Sequence, residues 1–350
     1  IEMSACRMTT NTTHMHSEIE EIPSAINRLI EHSEDAIIKA AAEIREFNPT
    51  VFTTVARGSS DHASAYLKYA IELSAGIPVA SIGPSISSIY NTKLNLKNAV
   101  NISISQSGKS PDIVDLTKTA GEGGALNIAI TNVATSPLAQ ESAHTLDIQA
   151  GLEKSVAATK TFVTSIVAGL LLIAHWQRDD ALLAAIKKLP EQAGLAVKVD
   201  WSILCDHMKD KDDIFILGRG PAMAIANEAA LKFKETCQIH AQAFSSAEVM
   251  HGPKSIVDQG FTVLALASRD ASESSVLEVA NSLVGQGADL FITTDQSALG
   301  NHLPFVASSH PLTDPLLLIL CYYQFIEKLA LARGLNPDTP PHLKKITETV

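Results

Sequence analysis

The stretch Val51-Phe-Thr-Thr-Val-Ala56-Arg57-Gly58-Ser59-Ser60 decides the fold. Its first six residues predict a buried strand, the next four predict a turn, and residues 61–73 have a helical pattern. The same layout recurs about 160 residues later, where Asp213-Ile-Phe-Ile-Leu217 is followed by Gly218-Arg-Gly220 and a helix that opens at Pro221. This repetition predicts a duplicated α/β unit, with a mostly parallel, doubly wound sheet flanked by helices in each half.

Further segments fit the two predicted sheets. Strand-like runs cover residues 78–82, 99–105, 125–131 and 145–148 in the first half, and residues 261–267 and 289–294 in the second. A helix is expected from Pro111, and a buried helix from about Ser155 to His175 closes the first half. We expect the join near residues 189–201, with Pro190 as punctuation. The predicted parts are a disordered leader (1–14), two subdomains (15–190 and 200–335) and a tail (336–350).

The composition limits the classes of function. The 350 residues are 46% hydrophobic and 19% charged, which suits a large core, and the net charge of −11 without a basic run argues against nucleic acid as a partner. The four cysteines are scattered without metal-ligand spacing, which favours a reducing, cytoplasmic setting. The apolar runs at residues 162–174 and 316–332 are too short or too interrupted to predict a membrane span. We expect no metal and no cofactor.

Two hydroxyl-rich loops follow neighbouring strands of the first half. One contains Ser59 and Ser60, and the other contains Ser105, Gln106, Ser107 and Ser110. Ligands of open α/β sheets bind at the carboxyl ends of the strands, and free N–H groups at helix N-termini favour anions. The two loops therefore predict a cradle for one phosphate monoester. Alternatively, Ser60 and Ser110 are plain N-caps.

Three charged residues of the second half share one predicted helix face. Glu228, Lys232 and Glu235 stand at i, i+4 and i+7, among small and apolar neighbours. A carboxylate beside groups that set its pKa suits proton transfer. The alternative is a solvated surface pair, which is the commoner meaning of Glu and Lys at this spacing. Ser60-Asp61-His62 is not a hydrolase triad, because adjacent residues cannot converge on one another.

Six motifs in order give the chain a family resemblance. They are residues 18–23, Ser105-Gln-Ser-Gly108, Glu153-Lys-Ser-Val-Ala-Ala-Thr-Lys160, Glu228 to Glu235, His251-Gly-Pro253 and Leu343-Lys-Lys345. With them the chain resembles the sugar isomerase (SIS) family, and within it the isomerase half of glucosamine-6-phosphate synthase. The resemblance runs from about Met15 to Val350.

The resemblance implies two SIS subdomains and a homodimer whose active sites are shared between subunits. It implies a phosphate pocket made by both serine loops, and Glu235 as the acid that moves a proton between C1 and C2. His251, donated by the neighbouring subunit, would open the sugar ring, and Lys345 could form a Schiff base with the open-chain sugar. Glu228 and Lys232 would support the sugar, and Val156 would contact it through its backbone.

Three departures from the synthase pattern stand out. Only about 14 residues precede Met15, and Cys6 is not an N-terminal nucleophile, so the synthase's glutaminase domain is not expected. Ala158 replaces a serine that contacts the sugar. Lys109 replaces an acid in the phosphate loop, which should strengthen anion binding.

The predicted reaction is deamination. Without glutamine-derived ammonia the degradative direction is favoured, and the tail resembles SIS-type deaminases more than synthases. We therefore expect a glucosamine-6-phosphate deaminase that releases fructose 6-phosphate and ammonia. The alternatives are a galactosamine-6-phosphate deaminase/isomerase, a fructosamine-6-phosphate deglycase and, less favoured, a non-enzymatic sugar-phosphate sensor.

Overall fold

The first half of the chain forms a five-stranded parallel sheet. The computed structural model describes residues 12–345. The strand order is β2-β1-β3-β4-β5, and every paired strand in this sheet is parallel to its neighbour. The strands are β1 (Val51–Val55), β2 (Val79–Ser81), β3 (Ala99–Ile104), β4 (Leu126–Thr131) and β5 (His144–Asp147). Their bounds match the predicted strands to within one or two residues.

The second half repeats this sheet. Read from the opposite edge, its strand order is β7-β6-β8-β9-β10, which is the order of the first sheet with the equivalent strands in the same places. All of its pairs are parallel. The strands are β6 (Asp213–Gly218), β7 (His240–Ser245), β8 (Thr262–Ala265), β9 (Asp289–Ile292) and β10 (Asn301–His302). The predicted duplication of an α/β unit is therefore confirmed.

Helices flank both sheets. In the first half they are α1 (His14–Glu20), α2 (Ile22–Phe47), α3 (Ser59–Ala75), α4 (Ser85–Ser88), α5 (Pro111–Glu122), α6 (Pro137–Gln140) and α7 (Lys160–Gln177). In the second half they are α8 (Asp180–Ala196), α9 (Ser202–Met208), α10 (Pro221–Cys237), α11 (Glu273–Val284) and α12 (Asp314–Ala332). His14, which the predicted leader included, is the first residue of α1, and Thr13 caps that helix by accepting from the His16 N–H at 2.9 Å.

The buried helix of the first half begins later than predicted. It starts at Lys160 rather than near Ser155, because the buried carboxylate of Glu153 accepts the N–H groups of Thr159 and Thr161 at 3.1 Å each. These bonds occupy the first free donors of the helix and leave residues 151–159 as a loop. The prediction failed here because the apolar and small residues of the loop continue the helical pattern.

Pro190 does not punctuate the chain as predicted. It lies inside α8, which runs on to Ala196. The start of α3 also differs from the prediction, since Ser59 and Ser60 belong to its first turn and Gly58 takes the N-cap position with φ of +55°. Glycine tolerates this left-handed conformation without steric strain.

Two helices pack together where the two halves of the chain meet. α3 of the first half packs against α10 of the second, and their apolar residues belong to one continuous core. Of the described residues, only α12 forms a helix long and apolar enough to cross a membrane, and 83% of its most apolar window is buried inside the protein. Burial of that kind is typical of a core helix.

Candidate active site

A cavity of about 360 Å³ opens where strands β1 and β3 end. The connections from these adjacent strands leave in opposite directions, and such a switch point is where open α/β sheets bind ligands. Both serine loops, the α10 helix and the C-terminal tail contribute to its walls. The lining residues are Arg57, Gly58, Ser59, Ser60, Ile104, Ser105, Gln106, Ser107, Ser110, Ile113, Glu153, Val156, Ala158, Glu235, Leu343, Lys344 and Lys345.

The two serine loops form one wall of this cavity. Ser59 and Ser60 stand in the first turn of α3, where backbone N–H groups have no acceptor within the helix. In the second loop the Ser105 hydroxyl accepts the Gly108 N–H at 3.2 Å and so closes a tight turn. Gly108 has φ of +61°, and a Cβ atom there would lie 2.1 Å from Ser136 Oγ, so only glycine fits. The loops meet as the sequence predicts.

Glu228, Lys232 and Glu235 share one face of α10, but they are not a solvated surface set. The side chains of Glu228 and Lys232 are fully buried, and that of Glu235 is 19% exposed. Lys232 Nζ lies 3.1 Å from Glu228 Oε1 and also donates to Glu235 Oε2. Only Glu235 reaches the cavity. The other two lie behind it and do not line the cavity, so the predicted direct support of the sugar by Glu228 and Lys232 has no contact to carry it within one subunit.

The charges of this cluster are fixed by their mutual contacts. Burial raises the pKa of Glu228, but the Lys232 ammonium and His62 outweigh it, and the net shift is downward. Burial lowers the pKa of Lys232, but the two carboxylates outweigh it and raise that pKa well above its ordinary value. The two carboxylates therefore favour the charged form of Lys232, which disfavours it as an amine nucleophile near neutral pH.

His62 belongs to the same network, although the sequence reading assigned it no role. Its Nδ1 lies 2.8 Å from Glu228 Oε2, while Ser59 Oγ donates to Glu228 Oε1 at 2.9 Å. Lys232 in turn donates to Ser59 Oγ at 3.2 Å. Ser59 and His62 are three residues apart on α3, a spacing that places both on one helix face and offered a usable signal.

Lys345 enters the cavity from the tail. Its Nζ donates to Glu153 Oε2 and to the Ser155 carbonyl, each at 2.7 Å. Burial raises the pKa of Glu153, but the Lys345 ammonium and the hydrogen bonds from Thr161 and Thr159 outweigh it and lower that pKa overall. Glu153 thus anchors the tail, a role that its place in the motif of residues 153–160 does not reveal.

Other predicted contacts are placed as follows. Val156 and Ala158 line the cavity, and the Val156 N–H donates to the Asp338 carbonyl at 3.1 Å, so only the carbonyl of Val156 is left to face a sugar. Lys109 is exposed and does not line the cavity. The expectation that it strengthens anion binding therefore loses its structural support.

His251 does not join this constellation within one subunit. It is exposed, in a turn between the 3-10 segments Glu248–Met250 and Pro253–Ile256, and it does not line the cavity. Among residues 12–345, no group of three or more His, Cys, Asp or Glu side chains could hold a metal ion.

Comparison with known proteins identifies the family of this chain. The SIS domain model matches residues 51–175 and 207–299, which cover nine of the ten described strands and more than half of the chain. The chain belongs to the SIS domain family. It is 30% identical over 343 residues to glutamine–fructose-6-phosphate aminotransferase (isomerizing) of Sulfolobus acidocaldarius, an alignment that covers 95% of this chain and 56% of that relative. The chain thus spans little more than half the length of this curated relative.

Two solved structures are also similar to this chain. A protein from Silicibacter pomeroyi DSS-3, provisionally named a phosphosugar isomerase, is 52% identical, with a TM-score of 0.91 over 93% of this SIS chain and 100% of its own. The C-terminal domain of glucosamine-fructose-6-phosphate aminotransferase from Francisella tularensis is 26% identical, with a TM-score of 0.82 over 95% and 99% of the two chains. These matches confirm the predicted kinship with the isomerase half of the synthase.

Proposed function

We propose that this SIS protein is a glucosamine-6-phosphate deaminase that couples aldose–ketose isomerisation to loss of the amine. The observation that carries the proposal is the shared cavity: Glu235 and Lys345 face the same space as the serine cradle. A phosphate held by the cradle would leave the sugar's carbons to extend toward both side chains. The cavity volume suits a small sugar phosphate.

Glu235 is the proposed proton carrier. It would take the proton from C2 of the open-chain aldose and return it to C1, while a proton from the amine nitrogen passes to O1, so that C1 becomes an alcohol and the C2 amine becomes an imine. The fixed Lys232 cation holds the Glu235 carboxylate in place. Ring opening requires a separate acid–base group, and we assign it to His251 of a neighbouring subunit in a homodimer, since His251 lies outside the cavity of its own subunit.

Water completes the reaction. Water adds to C2 of the imine, both of its protons pass to the nitrogen, and the C–N bond breaks to release ammonia. Glucosamine 6-phosphate and water thus give fructose 6-phosphate and ammonia. Lys345 can exchange with the neutral imine: its nitrogen takes the place of the imine nitrogen at C2, and two of its ammonium protons leave with the ammonia. In this direction the sugar phosphate and water are the only reactants. This sets the proposal apart from synthesis, which also needs an ammonia donor.

The test is ammonia release by the purified protein from three substrates in parallel. We expect rapid release from glucosamine 6-phosphate, with much slower release from galactosamine 6-phosphate and from N-acetylglucosamine 6-phosphate. Preferred release from the galactosamine ester would instead identify a galactosamine-6-phosphate deaminase/isomerase. No release from any of the three would contradict deamination, and a glycated fructosamine 6-phosphate substrate would then separate a deglycase from a sugar-phosphate sensor.

A further inference from the structure

The side chains of the serine cradle carry no charge, whereas the proposed ligand is an anion. Its side chains are hydroxyls and one amide, whereas a phosphate monoester carries a charge of about −2 near neutral pH. The cavity also contains the carboxylates of Glu153 and Glu235. The Lys345 side chain is already ion-paired with Glu153. The site thus needs a cation close to the two loops, and the predicted one, Lys109, does not line the cavity.

Two further cations line the cavity: Lys344 lies on the C-terminal tail, whereas Arg57 stands beside the cradle. Arg57 directly precedes Gly58-Ser59-Ser60 and lines the cavity with them. We propose that Arg57 binds the phosphate group of the substrate and that Asp112 positions its guanidinium. This inference rests on the proposed function, because it supposes a phosphorylated ligand in this cavity.

The Arg57 side chain is exposed and yet fixed. It is 51% exposed, which would ordinarily leave an arginine mobile, but its Nε and Nη2 donate to Asp112 Oδ2 at 3.0 and 2.8 Å. The Asp112 carboxylate is fully buried. A guanidinium has five N–H donors, and these bonds use two of them. An anion in the cavity can take donors that Asp112 does not use.

The same ion pair ties the two phosphate loops together. Arg57 immediately precedes α3, and Asp112 lies in the first turn of α5, two residues after Ser110. The N-termini of both helices favour an anion. The pair therefore supplies a positive charge and also fixes the separation of the two helix ends that share the ligand.

A comparable pair in the second half shows what Arg57 does differently. Arg269 donates to the buried Asp314, but it also donates to the Thr293 carbonyl at 3.0 Å and lies 3.9 Å from the centre of the Phe305 ring. Its side chain is only 18% exposed. Arg269 also borders a cavity, which contains neither serine loop, but it is a mostly buried crosslink with three partners, whereas Arg57 is half exposed beside the serine loops.

The experiment measures binding of glucitol 6-phosphate, an open-chain analogue that cannot turn over, by calorimetry on the full chain. Arg57→Met should weaken binding about tenfold or more, and Asp112→Asn should weaken it by less, because the charge remains but its position is lost. Lys109→Met is the matched control: it removes an exposed cation from the second serine loop that does not line the cavity, and binding should stay within about twofold. Melting curves check that each variant is folded.

Kinetics add a readout that a purely structural role would not give. If the protein deaminates its substrate, Arg57→Met should raise KM with little change in kcat, since phosphate binding is the same in ground and transition states. A folded Arg57→Met that binds the analogue like the wild type would overturn the inference, as would equal losses in Arg57→Met and Lys109→Met. Failure of the proposed function looks different: the wild type would bind glucitol 6-phosphate but release no ammonia. A wild type that does not bind the analogue would contradict both.

Discussion

Lys345 Nζ lies 2.7 Å from Oε2 of Glu153, a carboxylate whose side chain is fully buried. The contact joins the C-terminal tail to the loop before α7 at the edge of the cavity. The N-terminal helix α1 supports the same loop, because Glu18 accepts the N–H groups of Lys154 and Ser155. Both ends of the described chain therefore contact the loop that borders the cavity. We infer that Glu153 holds the Lys345 side chain in position to react with the sugar.

The first prediction concerns imine formation by Lys345. Incubation with fructose 6-phosphate and cyanoborohydride should reduce a transient imine and leave a hexitol phosphate on Lys345, detectable by peptide mass spectrometry. Glu153→Gln should reduce this labelling, because Lys345 loses the ionic contact that anchors it at the cavity. Lys344→Arg is the matched control and should label like the wild type. Undiminished total labelling in Lys345→Arg would rule out the assigned lysine.

The second prediction concerns the stability of the buried cluster on α10. Glu228→Gln should lower the free energy of unfolding by about 3–5 kcal/mol, because it leaves the buried Lys232 ammonium with one carboxylate fewer. Lys232→Met should be similarly damaging. The double variant should lose less than the sum of the two, as measured by denaturant unfolding. Additive losses would mean that the two charges are not coupled.

The third prediction follows from the lowered pKa values of Glu153 and Glu228. A carboxylate with a lowered folded pKa contributes stability above its ordinary value of 4.5, and that contribution is lost as the pH falls through the folded pKa. The melting temperature should therefore fall below about pH 4.5. In Glu228→Gln this acid-side fall should be shallower. A wild-type profile flat down to pH 3 would show that these groups are not stabilised as ions.

The fourth prediction tests whether active sites are shared between subunits. Glu235→Gln and His251→Ala should each be inactive, but mixing them after mild dissociation should restore about one quarter of the wild-type activity. Half of the dimers would be mixed, and each would hold one intact site. Light scattering checks that both variants dimerise. Dimers that exchange subunits without any recovery would show that His251 serves its own subunit or has no role in the reaction.

The sequence predicted the duplicated sheets well because their strands are strong local signals. Ile102, Ile128 and Ile130 sit in short runs rich in apolar residues, and every residue of β3 and β4 is buried, as expected for strands covered on both faces. β7 was missed because it is a partly exposed strand of His, Ala and Gln residues, and its pairing with β6 is decided by tertiary contact. The late start of α7 was missed for a similar reason, since Glu153 blocks helix propagation from outside the helix.

Site residues could be predicted when they all lie on one helix, and they could not when their partners lie on another element. Glu228, Lys232 and Glu235 share a helix, so their common face could be read from spacing. His62, Arg57 and Glu153 acquire their roles only through partners on other elements, namely Glu228, Asp112 and Lys345. The homodimer, the cytoplasmic location and the boundaries of the subdomains stay predictions.

The most direct test of the account compares the wild type with Glu235→Gln on glucosamine 6-phosphate, with ammonia, fructose 6-phosphate and glucitol 6-phosphate binding all measured. We predict that the wild type forms ammonia and fructose 6-phosphate in equal amounts. Glu235→Gln should lose at least about a hundredfold in turnover and yet bind the analogue within about twofold, because it removes a proton carrier and leaves the phosphate wall intact. Wild-type turnover in Glu235→Gln, or ammonia formed without fructose 6-phosphate, would contradict the proposed mechanism.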